Sequence, residues 1–422
     1  MVHRVLGAAC ALSLVLLAAA SARAQSAQNA APADAQALRA AIDDLKKDFD
    51  QRLALLEARL AAVEKGGAQP AAATPTTGAT GASVSNAKVF NPDMAVIGDF
   101  LGALGRTNID PANGVTPLPA LQMHESEASF QAAVDPYARA DFFVSFGEHG
   151  VDLEEGFVTF ASLPGGLLTK VGKMRAAFGK VNTLHNHVLP WTDRPLVINN
   201  LAGGEDGIDD AGISVARLIP NPWFFLEATG QIFRGDSGPD ETPLFKTSRR
   251  GQASYVGRLR GYQDLSESTN IDLGVSVSRG YNASGIPQGV DDLTTRLVGV
   301  DATLRWKPLR RSIYQSFVAR SEMIWSRREQ LNGVQNASGF YVSGDYQFAR
   351  RWFAGVRFDG ADRADNALLR DTGGSVILTY WPSEFSQVRS QYRRTNYAIG
   401  PAANEFLFQF VFSIGAHGAH VF

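Results

Sequence analysis

Cysteine and long apolar segments are scarce in this chain. Its single cysteine, Cys10, lies in an N-terminal hydrophobic stretch, so the remainder has no thiol for disulfides or thiolate metal sites. From Lys88 to Phe422 no apolar run approaches the length of about 18 residues that a membrane-spanning helix needs, which excludes such helices there. Charge is also modest, at 19% of residues with a formal net charge of −2. Nothing in its distribution indicates a nucleic-acid partner.

The first 24 residues are typical of a signal peptide. His3 and Arg4 precede a hydrophobic run from Val5 to Ala20, and Ala22-Arg23-Ala24 is a small-x-small cleavage pattern. Cleavage after Ala24 removes Arg4 and Arg23 and leaves 38 basic residues against 42 acidic ones, a formal charge of −4. The sequence therefore predicts a secreted chain and excludes a cytosolic enzyme.

Residues 33–65 have helical periodicity. Apolar residues recur at alternating steps of three and four, which is a heptad seam with one stutter: Leu38, Ile42, Leu45, Phe49, Leu53, Leu56, Leu60 and Val63. One narrow apolar seam on an otherwise polar helix favours a self-associating coiled coil. The alternative is a helix that lies on a membrane or on the β-barrel that the rest of the sequence predicts, as argued below. Residues 66–87 then have the Ala, Pro, Thr and Gly composition of a flexible linker.

The remaining residues, 88–422, alternate between apolar and polar side chains. Ile271, Leu273, Val275 and Val277, for example, interleave with Asp272, Gly274, Ser276 and Ser278. A period of two indicates β-strands. We predict sixteen strands, centred near residues 99, 129, 142, 157, 171, 213, 228, 257, 275, 300, 319, 343, 356, 377, 389 and 410.

The predicted connections alternate between short and long, as they do in outer-membrane barrels. The short ones lie at 135–136, 163–166, 220–222, 264–268, 307–310, 349–350 and 382–383. The long ones lie at 105–122, 147–150, 177–207, 235–251, 281–292, 327–336, 362–371 and 396–402, of which only 147–150 is short for its side. This alternation favours strands that cross a membrane over the alternative, a set of soluble β-sandwiches.

Aromatic residues support the membrane interpretation. Trp223, Trp306, Trp352 and Trp381 fall near the short-turn ends of strands, where an interfacial belt is expected. The chain ends in an alternating aromatic strand and Phe422, which resembles the recognition signal of bacterial outer-membrane barrels. We therefore predict an all-β fold, a 16-stranded antiparallel transmembrane β-barrel at residues 88–422 with an N-terminal α-helical coiled-coil segment, located in the bacterial outer membrane with the coil in the periplasm.

Residues 154–215 resemble the phosphate-selective porin O and P family. The similarity lies in EEGFVTFASLPGGLLTKVGKMRAAFG from Glu154 to Gly179, WTDRPLV from Trp191 to Val197, Gly203-Gly204, and the segment 210–215. Lys173 and Arg175 match the family's basic positions, with Met174 in place of an aromatic residue. The resemblance implies a trimeric channel, hence a homotrimeric coil. No lysine run or arginine ladder that would confer phosphate selectivity is present.

A sixteen-stranded lumen is wide enough to hold water, so we expect a porin for passive diffusion of small hydrophilic or anionic solutes. Ten cations are predicted to face the lumen: Arg139, Lys173, Arg175, Arg258, Arg260, Arg305, Arg320, Arg357, Arg389 and Arg393. Eight acids share the polar face: Asp141, Asp210, Glu227, Asp272, Asp301, Glu322, Asp345 and Asp359. The long connection 177–207 is expected to fold inward and to oppose them with Asp193, Glu205 and Asp206, with Lys180 and Arg194 as its cations. Such a mixed wall sets up a transverse field.

Other functions find less support in the sequence. His185 with His187, and His417 with His420, could bind zinc weakly, but neither pair has a cysteine or an evident third ligand nearby, so we predict no metal site. No Ser, His and Asp grouping indicates an enzyme, and no cofactor is predicted. The alternative function is structural, since the coil and linker could reach peptidoglycan and tether the membrane to the cell wall. The expected partners are a second and third copy of the chain, membrane lipid and small solutes.

Overall fold

The computed structural model describes residues 92–107, 118–148, 150–239, 243–247, 249–282 and 293–415. Seventeen β-strands form one antiparallel sheet in this part of the chain. They are β1 (Asp93–Arg106), β2 (Leu121–Met123), β3 (Ser126–Asp135), β4 (Ala138–Gly147), β5 (Gly150–Leu163), β6 (Leu167–Arg175), β7 (Asp209–Leu218), β8 (Phe225–Phe233), β9 (Ser254–Ser266), β10 (Thr269–Tyr281), β11 (Thr294–Trp306), β12 (Ser316–Gln330), β13 (Gly333–Ala349), β14 (Trp352–Asp362), β15 (Arg370–Ser383), β16 (Ser386–Asn396) and β17 (Ala403–Gly415).

The sheet closes on itself. From β3 to β17 each strand pairs with its sequence neighbour, and β1 pairs with β17 over residues 95–106 and 404–415. The three-residue β2 pairs with residues 100–102 of β1, and β3 pairs with residues 93–97 of the same strand. Strands β2 and β3 therefore fill one strand position together. The result is a closed, 16-stranded antiparallel barrel.

Side chains alternate between the two faces of this wall. In β17, Phe406, Phe408 and Ile414 are exposed on the outside, whereas Leu407 and Gln409 are buried on the inside. The same pattern recurs around the barrel, and it leaves a continuous apolar outer surface with a mostly polar interior. An apolar outside and a polar inside are expected of a barrel that faces lipid.

All sixteen predicted strand centres lie within strands, but one predicted long connection is wrong. Residues 327–336 are mostly strand, since β12 continues to Gln330 and β13 resumes at Gly333, with the backbone paired up to the turn. Polar side chains there resemble a loop in sequence, although backbone pairing does not require apolar side chains. The signal peptide, the coil at 33–65, the linker and Phe422 lie outside the described residues and remain predictions.

The longest connection between two strands turns into the barrel. Residues 176–208, here called the inner loop, join β6 to β7 and contain two 3₁₀ turns (Val181–Thr183 and Asn186–Val188) and one short helix, α1 (Leu196–Leu201). Another 3₁₀ turn, Leu309–Arg311, lies between β11 and β12. Helix α1 packs against β12, β13, β14 and β15, far along the chain from its own hairpin. No helix in the described part of the chain has the length and apolar character to cross a membrane.

Candidate functional site

The inner loop is closed at its base by one buried asparagine. The Ala176 amide donates to the Ile208 carbonyl at 2.8 Å. The Asn182 side chain donates to the Ala176 and Ile208 carbonyls at 2.9 and 3.0 Å and accepts from the Ile208 amide at 2.7 Å. Asn182 is fully buried, so these bonds satisfy backbone groups that would otherwise be unpaired. The loop is thereby a fixed element.

Gly179 lies four residues after the end of β6, where the inner loop meets the inner faces of β9, β10 and β12. Its φ is +61°, and a Cβ atom there would lie 1.6 Å from Glu322 Oε1 on the opposite wall. The Gly179 amide donates to Ser276 at 3.0 Å, and its carbonyl accepts from Arg258 at 2.6 Å. Only glycine fits this left-handed backbone and close approach.

A second set of contacts fixes the middle of the loop to β14 and β16. Asp193 accepts from Arg357 at 2.8 Å and from Arg393 at 3.0 Å, and Gln391 donates to its other oxygen at 2.5 Å. Burial opposes ionisation of Asp193, but the two guanidinium groups outweigh it and hold its pKa below the ordinary range. Asp193 was predicted to oppose the wall arginines across water; it is instead bonded to them.

Apolar contacts reinforce this attachment. Trp191 is buried and packs edge-on against Tyr341 at 5.1 Å between ring centroids, while the Arg357 guanidinium lies 5.1 Å from the Trp191 ring. In α1, Val197 and Ile198 are fully buried in a cluster that continues onto the inner faces of β11 to β15. Burial of this kind contributes about 1.5–3 kcal/mol per large apolar side chain.

Basic residues concentrate on the inner wall formed by β9 to β12. Arg260 and Lys180 share one carboxylate, Asp272, at 2.8 and 3.5 Å, and Arg305 makes no ion pair with a described residue. Arg258 lies nearby and bonds Asp301 at 2.9 Å. Burial lowers the pKa of Lys180, and the Asp272 carboxylate raises it. The guanidinium groups of Arg260, Arg305 and Arg258 lower it again, so the pKa of Lys180 lies below its ordinary value. Three cations around one acid make this the positive part of the site.

The predicted wall cations are mostly on the inner face, as the strand pairing shows. These are Arg139, Arg258, Arg260, Arg305, Arg320, Arg357, Arg389 and Arg393. Several are neutralised by partners: Arg320 by Asp345, Arg139 by Asp141 and Arg393 by Glu405. Arg389 is buried and donates to the Trp191 carbonyl at 3.0 Å and to Gln409 at 2.7 Å. Those contacts make Arg357 and Arg389 structural supports of the inner loop.

Lys173 lies on the opposite face from its predicted position. It pairs with Ala211, two residues from the exposed pair Val171 and Ile213, and so shares their outer face. It contacts Asp209 at 3.2 Å rather than lumen residues. The sequence prediction assigned Lys173 to the lumen as part of the polar face of its strand, whereas the strand register places Met174 on the inner side, where it joins the apolar cluster.

The remaining predicted charges of the inner loop comprise two exposed acids and one buried cation. Glu205 and Asp206 are exposed, and Glu205 contacts His124 at 2.9 Å. Arg194 does not face the lumen as a free cation, because it is buried and donates to the Val181 and Leu184 carbonyls inside the loop.

Opposite the basic wall, acidic and histidine side chains from β3, β5 and the inner loop meet. His185 Nδ1 lies 2.5 Å from Glu127 and 3.0 Å from Glu154, and its Nε2 lies 2.8 Å from Glu155. Arg175, predicted as a lumen cation, is buried here and donates to Glu154 at 2.9 Å. Burial lowers the pKa of His185, but hydrogen bonds to Glu127, Glu154 and Glu155 outweigh it and raise the pKa well above 6.5.

Sequence reasoning missed the residues that fix the loop. Asn182, Trp191 and Gln391 carry no charge pattern. The partners of Trp191 and Gln391 lie about 200 positions away in the chain, whereas Asn182 bonds the backbone at the two ends of its own loop. The one available signal was local: Trp191 is a large aromatic residue within a long connection.

The comparisons agree with a porin-like β-barrel. No family model matches the chain, so the phosphate-selective porin O and P family is not supported.

A protein of Aquifex aeolicus (strain VF5) without assigned function is 27% identical over 398 residues, covering 82% of this chain and 83% of the relative. The anion-selective porin from Comamonas acidovorans aligns with 76% of this chain and 99% of its own at 11% identity and a TM-score of 0.53. The outer membrane channel DcaP of Acinetobacter baumannii aligns with 77% of this chain and 96% of its own at 15% identity and a TM-score of 0.49. Together with the closed 16-stranded sheet, the likeness to the Comamonas porin establishes the fold of the chain as that of a porin-like β-barrel.

Proposed function

We propose that this protein is an outer-membrane porin that lets small hydrophilic solutes, and small anions in preference, diffuse through its lumen. The apolar outer face, the polar inner face and the N-terminal signal pattern support a location in the bacterial outer membrane. A barrel of this strand number has room for both an inner loop and a water path.

The observation that carries the anion preference is the group of Lys180, Arg260 and Arg305. Lys180 and Arg260 share one carboxylate, Asp272, and their side chains keep 26% and 35% of their surface exposed, whereas Arg305 makes no ion pair with a described residue. On the facing side, Glu127 and Glu154 are buried and bonded to His185 or Arg175, so they offer little to a passing solute. The accessible charge of the Lys180, Arg260 and Arg305 group is therefore positive, which attracts anions. The exposed acids of the inner loop, Glu205 and Asp206, lie apart from this group, and Glu205 contacts His124.

Planar-bilayer recordings test this proposal. The refolded protein is expected to give stepwise conductance, and its reversal potential in a salt gradient is expected to give an anion-to-cation permeability ratio above one. A folded barrel without conductance would contradict the channel function, and a ratio below one would contradict the anion preference.

A matched pair of variants assigns the preference to the basic group. Arg305→Gln removes an inner charge, and Arg296→Gln removes one from the outer face of the same strand, β11. A unit charge about 8 Å from an ion in water contributes about 0.5 kcal/mol, or roughly a factor of two. The permeability ratio should therefore fall about twofold with Arg305→Gln and stay unchanged with Arg296→Gln. Equal ratios in the two variants would exclude Arg305 from the solute path.

A further inference from the structure

We propose that His185, Glu127 and Glu154 form a binding site for a divalent transition-metal ion, of which zinc is the test case. This proposal is independent of the channel function. One ligand atom from each residue lies within 4.8 Å of the ligand atoms of the other two. Imidazole nitrogen with carboxylate oxygens is a donor set suited to zinc and related ions.

The residues converge from three separate elements. Glu127 comes from β3, Glu154 from β5 and His185 from the start of the second 3₁₀ turn in the inner loop. This is the reason that the sequence showed no third ligand for the His185 and His187 pair. His187 remains close, with its Nδ1 3.8 Å from Glu127, and it is available as a fourth ligand.

Glu154 gives the second, independent indication of a cation. Its side chain is about nine-tenths buried, at 7% exposed. One oxygen, Oε2, accepts from Arg175, whereas Oε1 is buried and has no hydrogen-bond partner among the described residues. An unpaired buried carboxylate oxygen costs free energy unless a donor or a cation meets it.

The local charge also favours a cation. Glu127, Glu154 and Glu155 surround His185. The Arg175 guanidinium contacts one of them, Glu154. With His185 neutral and bound through a ring nitrogen, three carboxylates and one guanidinium leave an excess of two negative charges, which a divalent ion neutralises.

The site requires only a small rearrangement. Ligand atoms held about 2.1 Å from a tetrahedral zinc ion are about 3.4 Å apart, whereas His185 Nδ1 is 2.5 Å from Glu127 and 3.0 Å from Glu154. Side chains that separate by less than about 1 Å would admit the ion. The bound ion would then tie the inner loop to β3 and β5, on the side away from the Asp193 contacts.

Titration of the refolded, chelator-treated protein with zinc chloride tests the proposal by calorimetry. Wild type is expected to bind one zinc ion per chain, His185→Ala to lose that binding, and Glu154→Gln to weaken it at least about tenfold. A variant with both His417→Ala and His420→Ala removes the other histidine pair and should bind as wild type does. Heat-modifiable migration on electrophoresis verifies that each variant forms the barrel.

Cobalt(II) absorption gives a second readout. The intense visible bands of four-coordinate cobalt should appear with wild type and with the His417 and His420 double variant, and should be absent with His185→Ala. Zinc binding that is equal in wild type and His185→Ala, or no binding by wild type at millimolar zinc, would overturn the proposal.

Discussion

Asp193 illustrates how single charges in this barrel act in attachment rather than in the solute path. It bonds Arg357 and Arg393 at once, and each guanidinium keeps a second carboxylate, Asp359 for Arg357 and Glu405 for Arg393. Loss of the Asp193 charge therefore leaves neither arginine unpaired. The cost is that of two charge-assisted hydrogen bonds rather than of a stranded buried ion.

Asp193→Asn is expected to lower the free energy of unfolding by about 1–3 kcal/mol at pH 7. Thermal unfolding in detergent, followed by electrophoretic mobility, measures this. Asp206→Asn is the control, since Asp206 lies in the same loop and is exposed. Equal midpoints for wild type and Asp193→Asn would show that the loop is held by other contacts.

The comparison of wild type with Asp193→Asn also predicts a pH dependence of stability. In the unfolded chain Asp193 ionises near its ordinary pKa of about 3.9, and in the folded chain its pKa is lower. The stabilisation is thus fully present above about pH 4 and is lost as the pH falls through the folded pKa. The difference between wild type and Asp193→Asn should persist from pH 7 to pH 5 and narrow only in stronger acid. A difference that disappears near pH 6 would contradict this assignment.

Gly179→Ala tests the entry point of the inner loop. The added Cβ would meet Glu322, and the left-handed backbone would strain any other residue, so we expect a loss of about 1–3 kcal/mol. Gly230→Ala, where a Cβ meets nothing within 4 Å, is the matched control. Thermal unfolding of the two variants gives the comparison, and equal midpoints would show that the loop entry adapts.

Among the structural elements, the inner loop is the one that we expect to set the lumen cross-section. Its helix α1 and the Trp191 segment occupy the inner faces of β12 to β16. Replacement of residues 184–201 by a short glycine linker should raise single-channel conductance. The measurement is the conductance step in a planar bilayer, and an unchanged step would place the solute path elsewhere.

The strands could be predicted from sequence because each one carries its own signal. Alternation in a strand such as β10 depends on its own residues, with Leu273 and Val275 outside and Asp272 and Ser276 inside. That signal fails where register decides the face, as at Lys173. It also fails for the loop acids, because the bond from Asp193 to Arg393 joins residues 200 positions apart. The alternation of polar and apolar residues predicted most of the cations that line the interior. Contacts with residues distant in sequence decide which of these cations remain without an ion-pair partner.

At the scale of the whole molecule, the N-terminal region remains a separate prediction. Deletion of residues 33–65 should leave solute flux intact and weaken the predicted homotrimer or the predicted attachment of the outer membrane to peptidoglycan. Trimer dissociation on heating and sedimentation with purified cell wall measure the two effects. If both are unchanged, neither self-association nor tethering resides in this segment.

The attachment of the inner loop to distant strands also has a consequence for the order of folding. Its bonds to Arg357 and Arg393 span 164 and 200 residues, and contacts this far apart in sequence form only after the intervening chain is ordered. We therefore expect a closed ring of strands to precede docking of α1 during refolding. Protease protection of the loop should lag behind the appearance of the heat-resistant barrel. Simultaneous appearance would mean that the loop guides closure, with α1 serving as a nucleus around which β12 to β16 assemble.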